Sequence, residues 1–222
     1  MTEAAHQMTA NFLPPGIRKP GSIGKGRGVD VIILSEDGSK TPNRSIGEIC
    51  VRGRNVFTAY HNNPKATAES FVPDPTDASK GAFFRTGDLG YIDDNGFIFL
   101  VGRSKEMINR GGEKISPLEI DNTLLQYDGV AEAVAFGVTN ELYGQVVHAC
   151  VILRAEVRAR RRRSDIEKEL KELCSKKLIV FKVPQKIWIV DEIPKGPTGK
   201  VQRRIVAEVF GRKWEELIAS KL

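Results

Sequence analysis

Apolar and polar positions alternate in short runs through the first hundred residues. Val29 to Leu34 is a β-branched run followed by an Asp37-Gly38 turn. Gly47 to Gly53 alternates with the period of two that a half-buried strand shows. Asp93-Asp94-Asn95-Gly96 lies between Tyr91-Ile92 and the run Phe97 to Leu100. Asn-Gly between apolar runs predicts a hairpin, since both residues tolerate positive φ. Residues 11–28 are rich in Pro and Gly and read as loop, and Asn62-Asn63-Pro64 opens a short helical piece. Short strands parted by turns predict a small antiparallel β-barrel.

After Arg103 the pattern becomes mixed α and β. Ser116 as N-cap, Pro117 in the first turn and Glu119 closing a capping box predict a helix to about Tyr127. Strands are expected near 132–138 and 146–153, the second carrying Val146, Val147, Cys150, Val151 and Ile152. A second helix starts at Ser164 with a capping box to Glu167, and Ile166, Leu170, Leu173 and Cys174 have helical spacing. Lys186 to Val190 is a further strand, and short helices near 203–209 and 212–219 finish the chain. The fold class is therefore α+β, with a barrel in residues 1–103 and a mixed α/β domain in 104–222.

Composition adds bounds. The chain has 222 residues, enough for one large or two small domains, with the 41% hydrophobic and 28% charged content of an ordinary soluble protein. No apolar run approaches the roughly 18 residues of a membrane span. The opening residues lack the basic-then-apolar order of a cleavable signal. A net charge of +6 fits anionic ligands as readily as nucleic acid. Cys50, Cys150 and Cys174 are scattered without metal spacing and are expected as reduced thiols.

Several side chains could carry chemistry. Asp88, in a Thr86-Gly87-Asp88 turn, could accept both hydroxyls of a ribose or simply bond its own backbone. Arg103 could fork onto phosphate or ribose oxygens, or be solvated. Gly111-Gly112 allows close backbone approach to a ligand, or is a turn leading into the helix. Lys200 stands in the loop Pro194 to Arg204, which fails as a phosphate-binding P-loop because Pro194 and Val201 occupy required Gly and Ser/Thr positions. Arg158 and Arg160 to Arg163 are the densest charge. No stacking aromatics lie beside them, so a solvated loop is expected rather than a nucleic-acid site. Ser220-Lys221-Leu222 reads as a receptor-recognised peroxisomal address, the compartment being otherwise cytoplasmic.

Three phrases carry a resemblance: Arg85-Thr86-Gly87-Asp88-Leu89, Gly102-Arg103-Ser104-Lys105-Glu106, and Gly112-Glu113-Lys114-Ile115-Ser116-Pro117-Leu118-Glu119-Ile120. They resemble the adenylate-forming acyl-CoA synthetases, and within them the oxalate–CoA ligases, neighbours of the 4-coumarate–CoA ligases. Residues 1–8 and 108–117 carry the closer likeness. The resemblance implies an ATP-dependent acid–CoA ligase using ATP, Mg²⁺, CoA and a small carboxylic acid. Residues 1–103 would be the end of its nucleotide-binding N-terminal domain, and 104–222 its mobile C-terminal domain. It implies Asp88 at the ribose, Arg103 at the nucleotide, Lys105 as hinge, Gly111 and Gly112 along the CoA path, and Lys200 as the catalytic cation. Lys114 would meet CoA or AMP. Thr2 would serve phosphate, Glu3 Mg²⁺, and His6 a small dicarboxylate. The chain opens inside the family's Thr-Glu motif, without its phosphate loop, so a C-terminal fragment inactive by itself is expected. The rival expectation is a non-catalytic domain that binds a nucleotide, a protein partner or RNA.

Overall fold

A computed structural model describes residues 1–196 and 199–220. The chain divides into two compact units, Met1–Lys105 and Glu106–Leu222.

In the first unit a short ladder pairs β1 (Thr9–Ala10) with β2 (Lys25–Gly26). The main sheet holds β3 (Val29–Leu34), β4 (Gly47–Gly53), β5 (Phe71–Pro73), β6 (Ala82–Ile92) and β7 (Ile98–Arg103). Its order is β3-β4-β6-β5, with β7 on β6, all antiparallel. Alternation sorts the side chains. Ile33, Ile49, Val51, Phe84 and Ile98 pack on one face, and Leu34, Cys50 and Phe83 on the other. The expected barrel is thus realised as a half-barrel. Helix α1 (Pro64–Ser70) begins as expected, with the Asn63 side chain accepting the Ala66 N–H at 3.0 Å. The β6–β7 hairpin forms where Asn95-Gly96 predicted it. Gly96 (φ 77°), rather than Asn95, takes the left-handed conformation. Asp93 fixes the turn by accepting the N–H groups of Asn95 and Phe97.

The second unit opens with β8 (Ile108–Arg110) and β9 (Glu113–Ile115), followed by α2 (Pro117–Leu124). Two long strands follow, β10 (Val130–Asn140) and β11 (Gly144–Leu153). Helices α3 (Ala155–Arg160) and α4 (Arg163–Lys177), strand β12 (Lys186–Val190) and helix α5 (Arg203–Ala219) complete it. The sheet order is β10-β11-β8-β9, and β12 pairs with β11 in parallel. β11 is central and buried on both faces, which explains its nearly continuous apolar run. Ala149, Val151 and Ile187 face Ile120 and Leu124 of α2 and Ile166, Leu170 and Cys174 of α4. Phe136, Val138 and Cys150 face Val206 and Phe210 of α5. Each fully buried aliphatic or aromatic side chain contributes about 1.5–3 kcal/mol, so two helix layers clamp this sheet.

Five expectations are corrected. Thr86-Gly87-Asp88 is a bulge inside β6, with Glu48 paired to Leu89 and Cys50 to Arg85, so three residues oppose Ile49 alone. α2 ends at Leu124, and Tyr127 follows in a turn. Neither capping box forms. Ser116 makes no side-chain cap bond, and Glu119 pairs with Lys182 instead. Ser164 lies inside α4, and Glu167 binds Lys171 and Lys186. The arginine run is no free loop: it spans α3 and the start of α4, with Arg158 and Arg163 on Asp191 and Arg161 on Glu169. Finally, the two C-terminal helices are one, running through Gly211.

Gly211 has open space where a Cβ would stand. Glycine inside a helix costs about 1 kcal/mol relative to alanine. Gly211→Ala is expected to stabilise the chain by about 0.5–1 kcal/mol, read as a higher urea midpoint at unchanged slope. An unchanged or lower midpoint would contradict an open helix surface there.

His148 is fully buried between Phe136, Trp188 and Trp214, and its Nδ1 accepts the Trp188 indole N–H at 3.4 Å. Nε2 has no partner among the described residues. Burial, reinforced by Lys171 and Lys186, lowers its pKa from 6.5 to about 4. Between those values the unfolded chain holds a proton that the folded chain lacks. Stability is therefore complete above pH 6.5 and falls on acidification towards pH 4, by on the order of 3 kcal/mol. Urea midpoints between pH 7 and 4 measure this directly, and a flat profile over that range would contradict a neutral buried imidazole.

Candidate active site

Glu48 builds the bulge of β6. One carboxylate oxygen takes the Arg85 guanidinium, Nε at 2.8 Å and Nη2 at 2.6 Å, and the other accepts the Gly87 N–H at 3.1 Å. Thr86, buried, donates its hydroxyl to the Ile49 carbonyl at 2.7 Å and accepts the Asp88 N–H at 3.1 Å. Gly87 has φ 73°, a conformation that favours a residue without Cβ. Three of the motif's residues are thereby spent on fixing the fourth. Asp88 is left on the partly exposed side of β6, directly opposite Arg103 of β7, whose Nε donates to its carboxylate at 3.0 Å. An acceptor carboxylate and a forked donor thus lie side by side, a pairing suited to a sugar diol and its neighbouring oxygens.

Thr2, Glu3 and His6 occupy a separate turn of the same unit. Thr2–Ala4 is a 3-10 turn, and the Glu3 carbonyl accepts the Phe57 N–H at 2.8 Å. Ala5 and His6 follow with φ 46° and 64°, successive left-handed residues with side chains, held by hydrogen bonds rather than by preference. The Asn55 amide supplies these by donating to the Ala4 and Gln7 carbonyls at 3.0 and 2.7 Å. The Glu3 carboxylate has the Tyr60 hydroxyl at 3.5 Å, and His6 is exposed. No group of three or more acidic, His or Cys side chains could hold a metal among the described residues. One oxygen ligand suits Mg²⁺, which keeps water and takes substrate phosphates as partners.

Lys105 is exposed in the 3-10 turn Ser104–Glu106 and is the last residue of the first unit. Beyond it, Gly111 and Gly112 form the two-residue turn of the β8–β9 hairpin, Arg110 facing Glu113 across it. Both glycines have positive φ, 58° and 91°, as a type I′ turn needs. The pair is therefore a hairpin tip rather than a helix-entry loop. The Gly111 N–H donates to the Tyr143 carbonyl, and the Arg110 guanidinium covers the Tyr143 ring at 4.1 Å. Lys114 lies in β9 opposite Asn109 and is exposed.

Lys200 is exposed on a short loop closed at its base by the Lys195–Val201 bridge. The Gly196 N–H donates to the Lys200 carbonyl at 2.8 Å, and the Gly199 N–H to the Gly196 carbonyl at 2.9 Å. Pro197 and Thr198 of this loop, and Lys221 and Leu222 of the C-terminal tripeptide, lie outside the described residues.

Sequence reasoning missed Glu48, Asn55, Asp121 and Arg203, because each acts on a residue dozens of positions away. Asp121, only 6% exposed, accepts the Ala135 N–H at 2.6 Å and the Arg203 Nη2 at 2.6 Å. Burial pushes its carboxyl above the ordinary value against the pull of Arg203. The three cysteines are free and buried, which raises their thiols, that of Cys50 to about 12 and that of Cys174 to about 11. Burial and raised thiols disfavour the thiolate that a nucleophile needs.

Residues 119–200 match the AMP-binding enzyme C-terminal domain family. The chain is 48% identical to the oxalate–CoA ligase of Saccharomyces cerevisiae over 212 residues, covering 96% of this chain and 37% of that protein. It is 45% identical to the oxalate–CoA ligase of Arabidopsis thaliana, over 96% of this chain and 39% of that one. Among solved structures, ATP-bound MatB from Rhodopseudomonas palustris superposes with a TM-score of 0.82 at 32% identity, over 95% of this chain and 39% of its own. The chain thus spans less than two fifths of the length of these relatives. Over the residues it has, it belongs to the adenylate-forming acyl-CoA synthetase superfamily, and its second unit contains that family's AMP-binding C-terminal domain.

Proposed function

We propose that this chain is the C-terminal part of an ATP-dependent acid–CoA ligase whose substrate is a small carboxylic acid such as oxalate. The Asp88–Arg103 pair, presented by the Glu48-built bulge, carries the reading: a half-exposed carboxylate beside a forked donor is suited to a ribose diol and to phosphate oxygens. The likeness to two oxalate–CoA ligases supports the substrate class.

In the first half-reaction an oxygen of the acid attacks the α-phosphorus of ATP, giving acyl-AMP and pyrophosphate. In the second, the CoA thiol attacks the acyl carbon, AMP leaves and the thiol proton passes to solvent. Asp88 holds the ribose in both. Lys200 stands between the carboxylate and the α-phosphate, where one cation offsets the repulsion of two anions. Lys105 is the joint about which the second unit changes pose. Gly111 and Gly112 leave room for the pantetheine arm, and Lys114 meets a phosphate of CoA or AMP. Thr2 faces phosphate, His6 the second carboxylate of the acid, and Glu3 would hold Mg²⁺, which neutralises phosphate charge when bound. Where Leu222 ends the mature protein, Ser220-Lys221-Leu222 addresses it to the peroxisomal import receptor. The RNA-binding alternative is weakened by the ion pairs that occupy Arg158, Arg161 and Arg163.

The test is exchange of labelled pyrophosphate into ATP. The chain joined to the upstream half that its relatives possess is expected to catalyse exchange dependent on an added acid, oxalate among them. The 222-residue chain alone is expected to catalyse none. Turnover by the isolated chain would overturn the division of labour, and no exchange with any acid by the joined protein would overturn the activity.

A further inference from the structure

Arg203 lies three residues beyond Lys200, at the first position of α5, and its side chain is 14% exposed. Its guanidinium meets three elements of the second unit at once. Nε donates to the Glu106 carboxylate at 3.0 Å, Nη2 to Asp121 at 2.6 Å, and Nη1 to the Ala135 carbonyl at 2.8 Å. Glu106 is the first residue of that unit, immediately after Lys105. Asp121 belongs to α2 and Ala135 to β10. The cores on the two faces of the sheet are formed by apolar side chains, and Arg203, mostly covered, adds polar cross-links between elements beside them. A planar, five-donor fork is the one side chain that can bind three acceptors in fixed directions.

We propose that Arg203 is a positioning residue for Lys200, locking the stem of the Lys200 loop to the segment that leaves the Lys105 joint, so that both move as one rigid body. This rests on the functional reading above for the identity of Lys200 and Lys105, but the clamp itself does not. A cation at the end of a hydrogen-bonded loop reaches a reacting phosphate reproducibly only if the loop's stem is fixed. Misplacement by about 1 Å costs on the order of a hundredfold in rate. The stem is fixed at Arg203, and the fixing point is shared with the first residue past the joint.

Arg203→Lys tests this while leaving a cation beside the buried Asp121. In the 222-residue chain, amide hydrogen exchange is expected to rise about tenfold at Gly196 and Gly199, with the amides of β11 unchanged. Wild-type exchange at Gly196 and Gly199 would overturn the clamp whatever the activity proves to be. In the joined enzyme, kcat of acyl-adenylate formation is expected to fall about 10- to 100-fold at unchanged KM for ATP. Thioester formation from supplied acyl-AMP should hold its rate. Equal falls in both half-reactions would make Arg203 merely structural and end the proposal. Glu106→Ala, which leaves the Arg203–Asp121 pair in place, is expected to lower adenylation alone, by a smaller factor. Wild-type adenylation in that variant would remove the joint from the clamp and overturn it. Failure of the functional reading would show instead as an unimpaired Lys200→Ala, with the exchange result still judging the clamp.

Discussion

Replacing Lys200 by alanine is expected to slow acyl-adenylate formation by about two to three orders of magnitude, the scale of losing one transition-state charge partner. The acid's carboxylate and the α-phosphate repel each other as they approach, and the repulsion peaks in the transition state. On the proposed reading the ammonium would therefore contribute to kcat rather than to ground-state binding. The loop is built to present it: the Lys195–Val201 bridge and the Gly196–Lys200 hydrogen bond close the stem, and Lys200 stands exposed on it. Thioester formation involves a neutral thiol or its thiolate and an acyl carbon, with no second anion brought onto the phosphate, so it should suffer much less.

Lys105→Pro is expected to separate the half-reactions completely, one retained and the other lost. Lys105 sits exposed in a 3-10 turn at the last position of the first unit, where a change in two dihedrals reorients all that follows. Proline fixes φ near −65° and restricts the preceding Ser104, so the joint keeps one pose. If the two poses serve the two reactions, freezing one leaves the chemistry of the other without its groups. Rates of both half-reactions at the wild-type level would show that Lys105 is not the joint.

Much of the fold was legible in local pattern. β3, β4, the β6–β7 hairpin, β11 and β12 stand where periodicity and turn residues put them, because each packs side chains with a period of two against an apolar layer. Cap positions were legible at Asn63 and Ser116, but the capping boxes were not. Ser116 and Ser164 with Glu119 and Glu167 have the spacing of capping boxes, but Lys182 and Lys186 on other elements compete for the two glutamates and win. The arginine run misled for the same reason: its partners Glu169 and Asp191 lie up to 33 residues away. Gly211 reads as a break, yet a lone glycine costs too little to interrupt a helix whose Val206 and Phe210 are buried.

The candidate site was legible as residue types and not as geometry. Asp88 and Arg103 drew attention separately, and the cross-strand register that sets them 3.0 Å apart emerges only when the bulge is counted into β6. The bulge itself depends on Glu48, which in the sequence is simply one polar position of an alternating strand. Arg203 reads as one more cation in a basic loop, and its partners precede it by 68 to 97 residues. Long-range polar contacts leave no periodic trace, so the residues that hold the site are less visible than those that face it.

Comparing Lys200→Ala with Asp88→Ala across both half-reactions tests most directly whether two poses share one bound nucleotide. Pyrophosphate exchange reports adenylation, and CoA consumption from supplied acyl-AMP reports thioester formation. The predicted result is a loss confined to exchange for Lys200→Ala, and weakened nucleotide binding in both assays for Asp88→Ala, since the ribose stays bound throughout. Equal losses in both assays for Lys200→Ala would contradict it, placing that lysine in a static site or in the structure alone.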